Sequence, residues 1–141
     1  MRTFYIFSIN KILSPIYENK SGNIYNMLNK VRNYNKKELV FAKKIYLKII
    51  NPIDKKKIDN YLLMNYMNNF YYTKMNNIHK LKSDKEYSKL TIHNTYIKIV
   101  TNNNISSFFK DFYNINKNYF IIDFDNKDYF YLEDLRLKLL V

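Results

Sequence analysis

The 141-residue chain has no cysteine and no tryptophan, one glycine (Gly22), one alanine (Ala42) and two prolines. Without cysteine there is no disulfide framework and no thiolate chemistry. A single glycine rules out a glycine-rich phosphate loop. Lys or Asn interrupts every apolar run well short of the ~20 residues that a membrane-spanning helix needs, so no membrane insertion is expected. The two histidines, His79 and His93, each stand alone in a predicted strand or at its edge, where a structural role is the commoner one. With no Ser-His-Asp constellation, the chain is expected not to be an enzyme and to need no cofactor or small-molecule substrate.

What is present is skewed: 21 Lys against 3 Arg, 22 Asn and 15 Tyr. Lys, Asn, Ile, Tyr and Phe have AT-rich codons, so the composition points to an AT-rich genome, as in organelles, parasites or viruses. Apolar residues make up 47% and charged residues 26%, which is the balance of a folded domain. The net charge of +12 favours a polyanionic partner. Residues 111–141 carry six acids against four bases, a net −2, so residues 1–110 hold +14. The basic face is therefore expected in the N-terminal part.

Residues 1–22 are expected to form an N-terminal extension, with a weak presequence as the other reading of its start. Ile24, Met27, Leu28 and Val31 fall at i, i+3, i+4 and i+7, predicting a helix capped by Ser21 or Asn23. Glu38 to Ile50 is expected as strand, with Leu39, Phe41, Ile45, Leu47 and Ile49 opposite Lys43, Lys44 and Lys48. Asn51-Pro52 ends it. Asp54 caps a second helix running to about Asn68, with Ile58, Leu62, Leu63, Tyr66 and Met67 on the buried side. Lys55, Lys56 and Lys57 fill its first turn against the macrodipole, either as an anion site or as a solvated charge run.

A hairpin is predicted from Phe70–Met75 and Ile78–Leu81 around Asn76-Asn77. Lys82 to Ser88 is expected as the join between two lobes. Leu90 to Val100 alternates as a strand, and Phe108, Phe109, Phe112 and Tyr113 mark a short helix. Tyr119 to Ile122 is a strand that breaks at Asp125-Asn126-Lys127, and Leu135 to Val141 is expected to close the sheet. The fold class is α+β in two small lobes: an N-terminal helix-strand-helix-hairpin lobe (23–85) and a β-rich C-terminal lobe with a short helix (86–141).

Asp123, Asp125, Asp128 and Asp134 do not make a calcium loop, because Lys127 and Asp128 fall where an oxygen ligand and a glycine are required. No metal is expected. Aromatics beside lysines, as in Phe70-Tyr71-Tyr72-Thr73-Lys74 and Tyr34-Asn35-Lys36-Lys37, either stack on bases or fill core and interface positions.

The helix Ile24-Tyr-Asn-Met27-Leu28-Asn-Lys-Val31-Arg32-Asn33 resembles the Ile-x-Asp-Met-Leu-Thr-x-Ile-Arg-Asn opening of the universal small-subunit ribosomal protein eight family. Ile121-Ile122 through Leu135-Arg136 is similar to that family's C-terminal motif, with Asp123-Phe124-Asp125-Asn126-Lys127 in place of its Ser-Thr-Ser-x-Gly turn. The resemblance implies a structural protein of a small ribosomal subunit, in a mitochondrion or, as second choice, a plastid. Its partners would be small-subunit rRNA and neighbouring ribosomal proteins. The RNA contacts implied lie on the first lobe: Lys30, Arg32, Asn33, Lys36, Lys37, Lys43, Lys44, Lys55, Lys56 and Lys57. Other readings of the chain are an accessory subunit of an organellar membrane complex and a small viral or phage nucleic-acid-binding protein.

Overall fold

A computed structural model of the chain describes residues 1–10, 21–33, 44, 46–116 and 118–135. Eight strands form one sheet: β1 Arg2–Ile9, β2 Ile50–Asn51, β3 Tyr72–Met75, β4 Ile78–Lys82, β5 Tyr87–Ile92, β6 Ile97–Thr101, β7 Tyr119–Asp123 and β8 Asp128–Tyr131. The helices are α1 Ser21–Asn33, α2 Lys55–Tyr66 and α3 Phe108–Ile115, with a helical turn at 46–49 and a 3-10 turn at Leu132–Leu135. The class is α+β, as the sequence predicts. The sheet runs β3-β4-β5-β6-β1-β7-β8, with β2 paired to the end of β1, and every pairing among the described residues is antiparallel.

The N-terminal segment departs most from expectation. Arg2–Ile9 is no extension but the strand on which the sheet is built, pairing with β6 along Arg2 to Ile6 and with β7 along Tyr5 to Ser8. Its Phe-Tyr-Ile-Phe run suits a strand covered on both faces, where both parities of side chain are apolar. Phe4 and Ile6 enter a core on one face with Ile58 and Leu62 of α2 and Phe108, Phe109 and Phe112 of α3. Phe7 and Ile9 enter a second core on the other face with Ile24 and Leu28 of α1. Strands from before and after Lys82 to Ser88 thus lie in one continuous sheet.

The helices follow their local signals. Asp54 caps α2 by accepting from the Lys57 backbone N–H at 3.2 Å, a bond typically worth about 1 kcal/mol. Burial along α2 is narrower than predicted: Ile58 and Leu62 are inside, but Leu63 is 42% and Met67 66% exposed. Of the strand expected over 38–50, residues 38–43 and 45 lie outside the described residues, while 46–49 is corrected to helix and Ile50, with Asn51, pairs with β1. The single strand expected from Leu90 to Val100 is a hairpin, β5 and β6, turning at 93–96. Asn76 takes φ 54° in the β3–β4 turn, as its amide side chain allows, and Lys127 takes φ 52° before β8. The expected strand beyond Leu135 lies outside the described residues.

Candidate functional site

Helix α1 packs beside β1, β7 and β8, through Ile24 and Leu28 against Phe7, Ile9, Phe120 and Ile122. Between this helix and the adjoining strip of sheet opens a groove of about 360 Å³. Its floor is Tyr5 and Phe7 of β1, its helix wall is Leu28, Val31 and Arg32, and Tyr46, Thr95, Tyr96 and Phe124 close the other sides. The alternation of β1 sends Tyr5 and Phe7 to this face, and the turn after β7 brings Phe124 over Tyr5.

The rings are held by one another. Tyr5 meets Phe124 edge-on at 5.3 Å and Tyr96 at 5.7 Å between centroids. Phe7 sits 6.1 Å from Tyr96 and 6.5 Å from Tyr46. Such contacts add about 0.5–1.5 kcal/mol each beyond burial and fix the shape of the groove. The Tyr46 hydroxyl donates to Thr95 Oγ1 at 2.9 Å, and burial pushes its pKa up, so it stays a neutral donor. The Arg32 guanidinium lies 4.7 Å over the Phe124 ring and marks one lip with a fixed positive charge.

Among the described lining residues there is no carboxylate, imidazole or thiol. The groove therefore offers recognition: an apolar cavity for a hydrophobic side chain, and a planar cation for a carboxylate beside it.

The titratable groups elsewhere serve as struts. His79 is fully buried between α2 and the β3–β4 hairpin, with Nε2 2.6 Å from Asp59 Oδ1 and Nδ1 2.6 Å from the Tyr72 hydroxyl. Burial holds its pKa below the usual value, outweighing Asp59, and Lys74 adds to the depression. A neutral ring satisfies both contacts, donating from Nε2 to Asp59 and accepting at Nδ1 from Tyr72. Asp123, also buried, accepts from Arg2 Nε at 2.9 Å and Asn126 Nδ2 at 2.7 Å. Burial pushes its pKa up, but the bonds from Asn126 and Arg2 outweigh it, and the carboxyl stays below its usual value.

The described members of the basic set named from the sequence do not gather into one patch. Lys30, Arg32 and Asn33 are exposed at the end of α1, and Asn33 turns back to donate to the Asn29 carbonyl at 2.9 Å. Lys55, Lys56 and Lys57 open α2, whose core contacts lie on the opposite face of the sheet. Lys44 is exposed, and Lys36, Lys37 and Lys43 lie outside the described residues. Of the described members of the set, Arg32 alone lines the groove. No local motif singles out Tyr5, Phe7, Tyr96 or Phe124. The N-terminal run of apolar residues of both parities is compatible with a strand buried on two faces, but equally with an extension or a buried helix segment.

Comparison with known families now bears on this geometry. The profile of a family described as "Sporulation inhibitor of replication protein SirA" matches residues 2–136, from the first residue of β1 onward. The chain belongs to the SirA family. No curated protein matches it. Membership in the SirA family overturns the ribosomal reading, together with the rRNA and ribosomal-protein partners and the mitochondrial setting that went with it. The motifs behind that reading were short. Met27-Leu28 and Arg32-Asn33 are what an amphipathic helix presents on its inner and outer faces, whatever the fold around it.

Proposed function

We propose that this chain restrains DNA replication by binding a protein of the replication apparatus, without catalysis, and that the aromatic groove seats a side chain of that target. The family's description supplies the process, inhibition of replication in sporulation. The observation that carries the docking reading is the groove itself, a pocket of about 360 Å³ already shaped by interlocked rings. A preformed pocket costs little ordering on binding.

Burying one Leu or Phe there contributes about 1.5–3 kcal/mol. A carboxylate paired with Arg32 adds a charge-assisted bond and sets orientation. A micromolar complex needs about 8 kcal/mol, so the groove is the anchor of a wider interface. The chain's net charge of +12 selects an acidic partner and speeds the encounter.

The test is induced expression in a spore-forming bacterium, with the origin-to-terminus ratio of chromosomal DNA as the readout. Val31→Asp places a carboxylate in the groove from a half-buried helix position and leaves both cores intact. The native chain is expected to lower the ratio, and the variant, at equal abundance, to leave it unchanged. A native chain without effect contradicts the function, and a fully inhibitory variant contradicts the site.

A further inference from the structure

The face of the sheet that carries the groove continues across β6, β5 and β4, and none of the described helices packs there. Strands β3 to β6 contain five lysines and no acid. Four of them, Lys80, Lys82, Lys89 and Lys98, share this face, because the alternation sends His79, Leu81, Ser88, Leu90, Ile97 and Ile99 to the buried side. The register orders them. Lys80 stands directly opposite Lys89, Lys82 is two residues further along β4, and Lys98 lies diagonally beyond Lys89. Lys98 is in turn opposite Tyr5, with its ammonium 6.0 Å from that ring.

The result is an oblique track of four cations that ends on the Tyr5–Tyr96 pair. None of the four is ion-paired among the described residues. Of the acids near these strands, Asp59 is engaged with His79, Asp111 with Tyr66, and Glu86 with Ser88 and the Ser107 N–H, while Asp84 stands exposed in the β4–β5 turn. Like charges directly across a strand pair are destabilising, and no acid among the described residues pairs with Lys80 or Lys89 to relieve it.

We propose that this face binds single-stranded DNA, with phosphates on Lys82, Lys80, Lys89 and Lys98 and a base stacked at Tyr5 and Tyr96. A cation track leading to a stacking platform is the arrangement that takes unpaired strands. A duplex hides its base faces, so it gains nothing from the rings. The choice of DNA over RNA rests on the replication role proposed above, whereas the binding face does not.

The test uses the full chain and fluorescence anisotropy with a labelled single strand of roughly 15 nucleotides, its duplex and the same sequence as RNA. Four phosphate contacts on a single strand predict a slope of log K against log salt of about −2.8, or roughly 50-fold weaker binding from about 50 to 200 mM salt. Lys80→Gln with Lys89→Gln should halve the slope to about −1.4, with an unchanged or slightly raised Tm. Lys82→Gln with Lys98→Gln should halve it independently. Lys80 and Lys89 do not line the groove, so their double variant should still lower the origin-to-terminus ratio, and this proposal and the groove reading fail separately.

A preference for the single strand over the duplex, with the slope halved in both lysine pairs, supports the assignment. Duplex binding as tight as single-strand binding overturns it, as does no binding at all, an unchanged slope in the lysine variants, or an RNA preference of about tenfold or more.

Discussion

Replacing His79 with Leu tests the balance of forces at the one buried imidazole. The ring donates to Asp59 and accepts from Tyr72, each at 2.6 Å, so Leu removes two hydrogen bonds. A bond to a charged group is worth about 1.5–3 kcal/mol and a neutral one about 1. Asp59 keeps 24% of its side chain exposed and rehydrates. Leu also regains part of the loss through apolar burial. The net expectation at neutral pH is a destabilisation of about 2 kcal/mol, or roughly a 6 °C fall in Tm for a chain of this size.

The pH dependence separates the possible causes. His79 has a folded pKa below its unfolded value, by burial first, against Asp59 and with Lys74. Its neutral form therefore stabilises the fold above the unfolded pKa near 6.5, and that stability is lost as pH falls below 6.5 toward the folded pKa. His93 is depressed in the same direction, by burial and then by Lys55 and Lys98, and keeps its own share of the slope in the variant. The gap in stability between native chain and variant should narrow from about pH 7.5 to pH 5, measured by urea unfolding at each pH. A gap that widens as pH falls would refute the argument, because it would mean that the Asp59 contact holds His79 protonated.

Two further substitutions have signs fixed by the structure. Arg2→Met leaves the fully buried Asp123 carboxylate with its Asn126 contacts alone. It should cost about 2 kcal/mol at pH 7. Asp123 is depressed in the fold, so its contribution is present above the unfolded pKa near 4 and fades as pH falls through the folded value. The Arg2→Met deficit should accordingly shrink in acid, a result that acid titration by circular dichroism reads directly. Lys127 holds φ 52°, which strains a side chain with a Cβ, so Lys127→Gly should raise stability by roughly 1 kcal/mol. A lower Tm in that variant would contradict the assigned turn geometry.

The local features of this fold were legible in the sequence, and its tertiary ones were not. The stripe of Ile24 and Leu28, the Asp54 cap and the Asn76-Asn77 turn each depend on residues within a few positions of one another. Leu63 and Met67 continue the helical period of α2, yet the core ends at Leu62, and periodicity carries no information on where a neighbour stops. The turn between β5 and β6 has no glycine to mark it in a chain with only one, so two strands read as one. Phe4 to Phe7 is apolar at every position, a pattern that fits an extension, a buried helix segment or a central strand alike. Only the pairing of β1 with β6 and β7 decides among them.

The groove follows the same logic. Its rings come from β1, the 46–49 turn, the β5–β6 turn and the turn after β7, which are far apart in sequence. The lysine track depends on register between strands, which no single strand encodes. Lys55, Lys56 and Lys57 are adjacent in sequence, whereas Lys80, Lys89 and Lys98 come together only in space.

A photocrosslink from the lip of the groove in living cells reads the docking contact itself. A benzophenone amino acid at the exposed position 33, next to Arg32, would be expressed in the sporulating host and activated by light. The account predicts an adduct with a protein of the replication apparatus, and its loss when Val31→Asp is added. An adduct that survives Val31→Asp, or none at all while replication is still inhibited, would contradict the groove as the docking site.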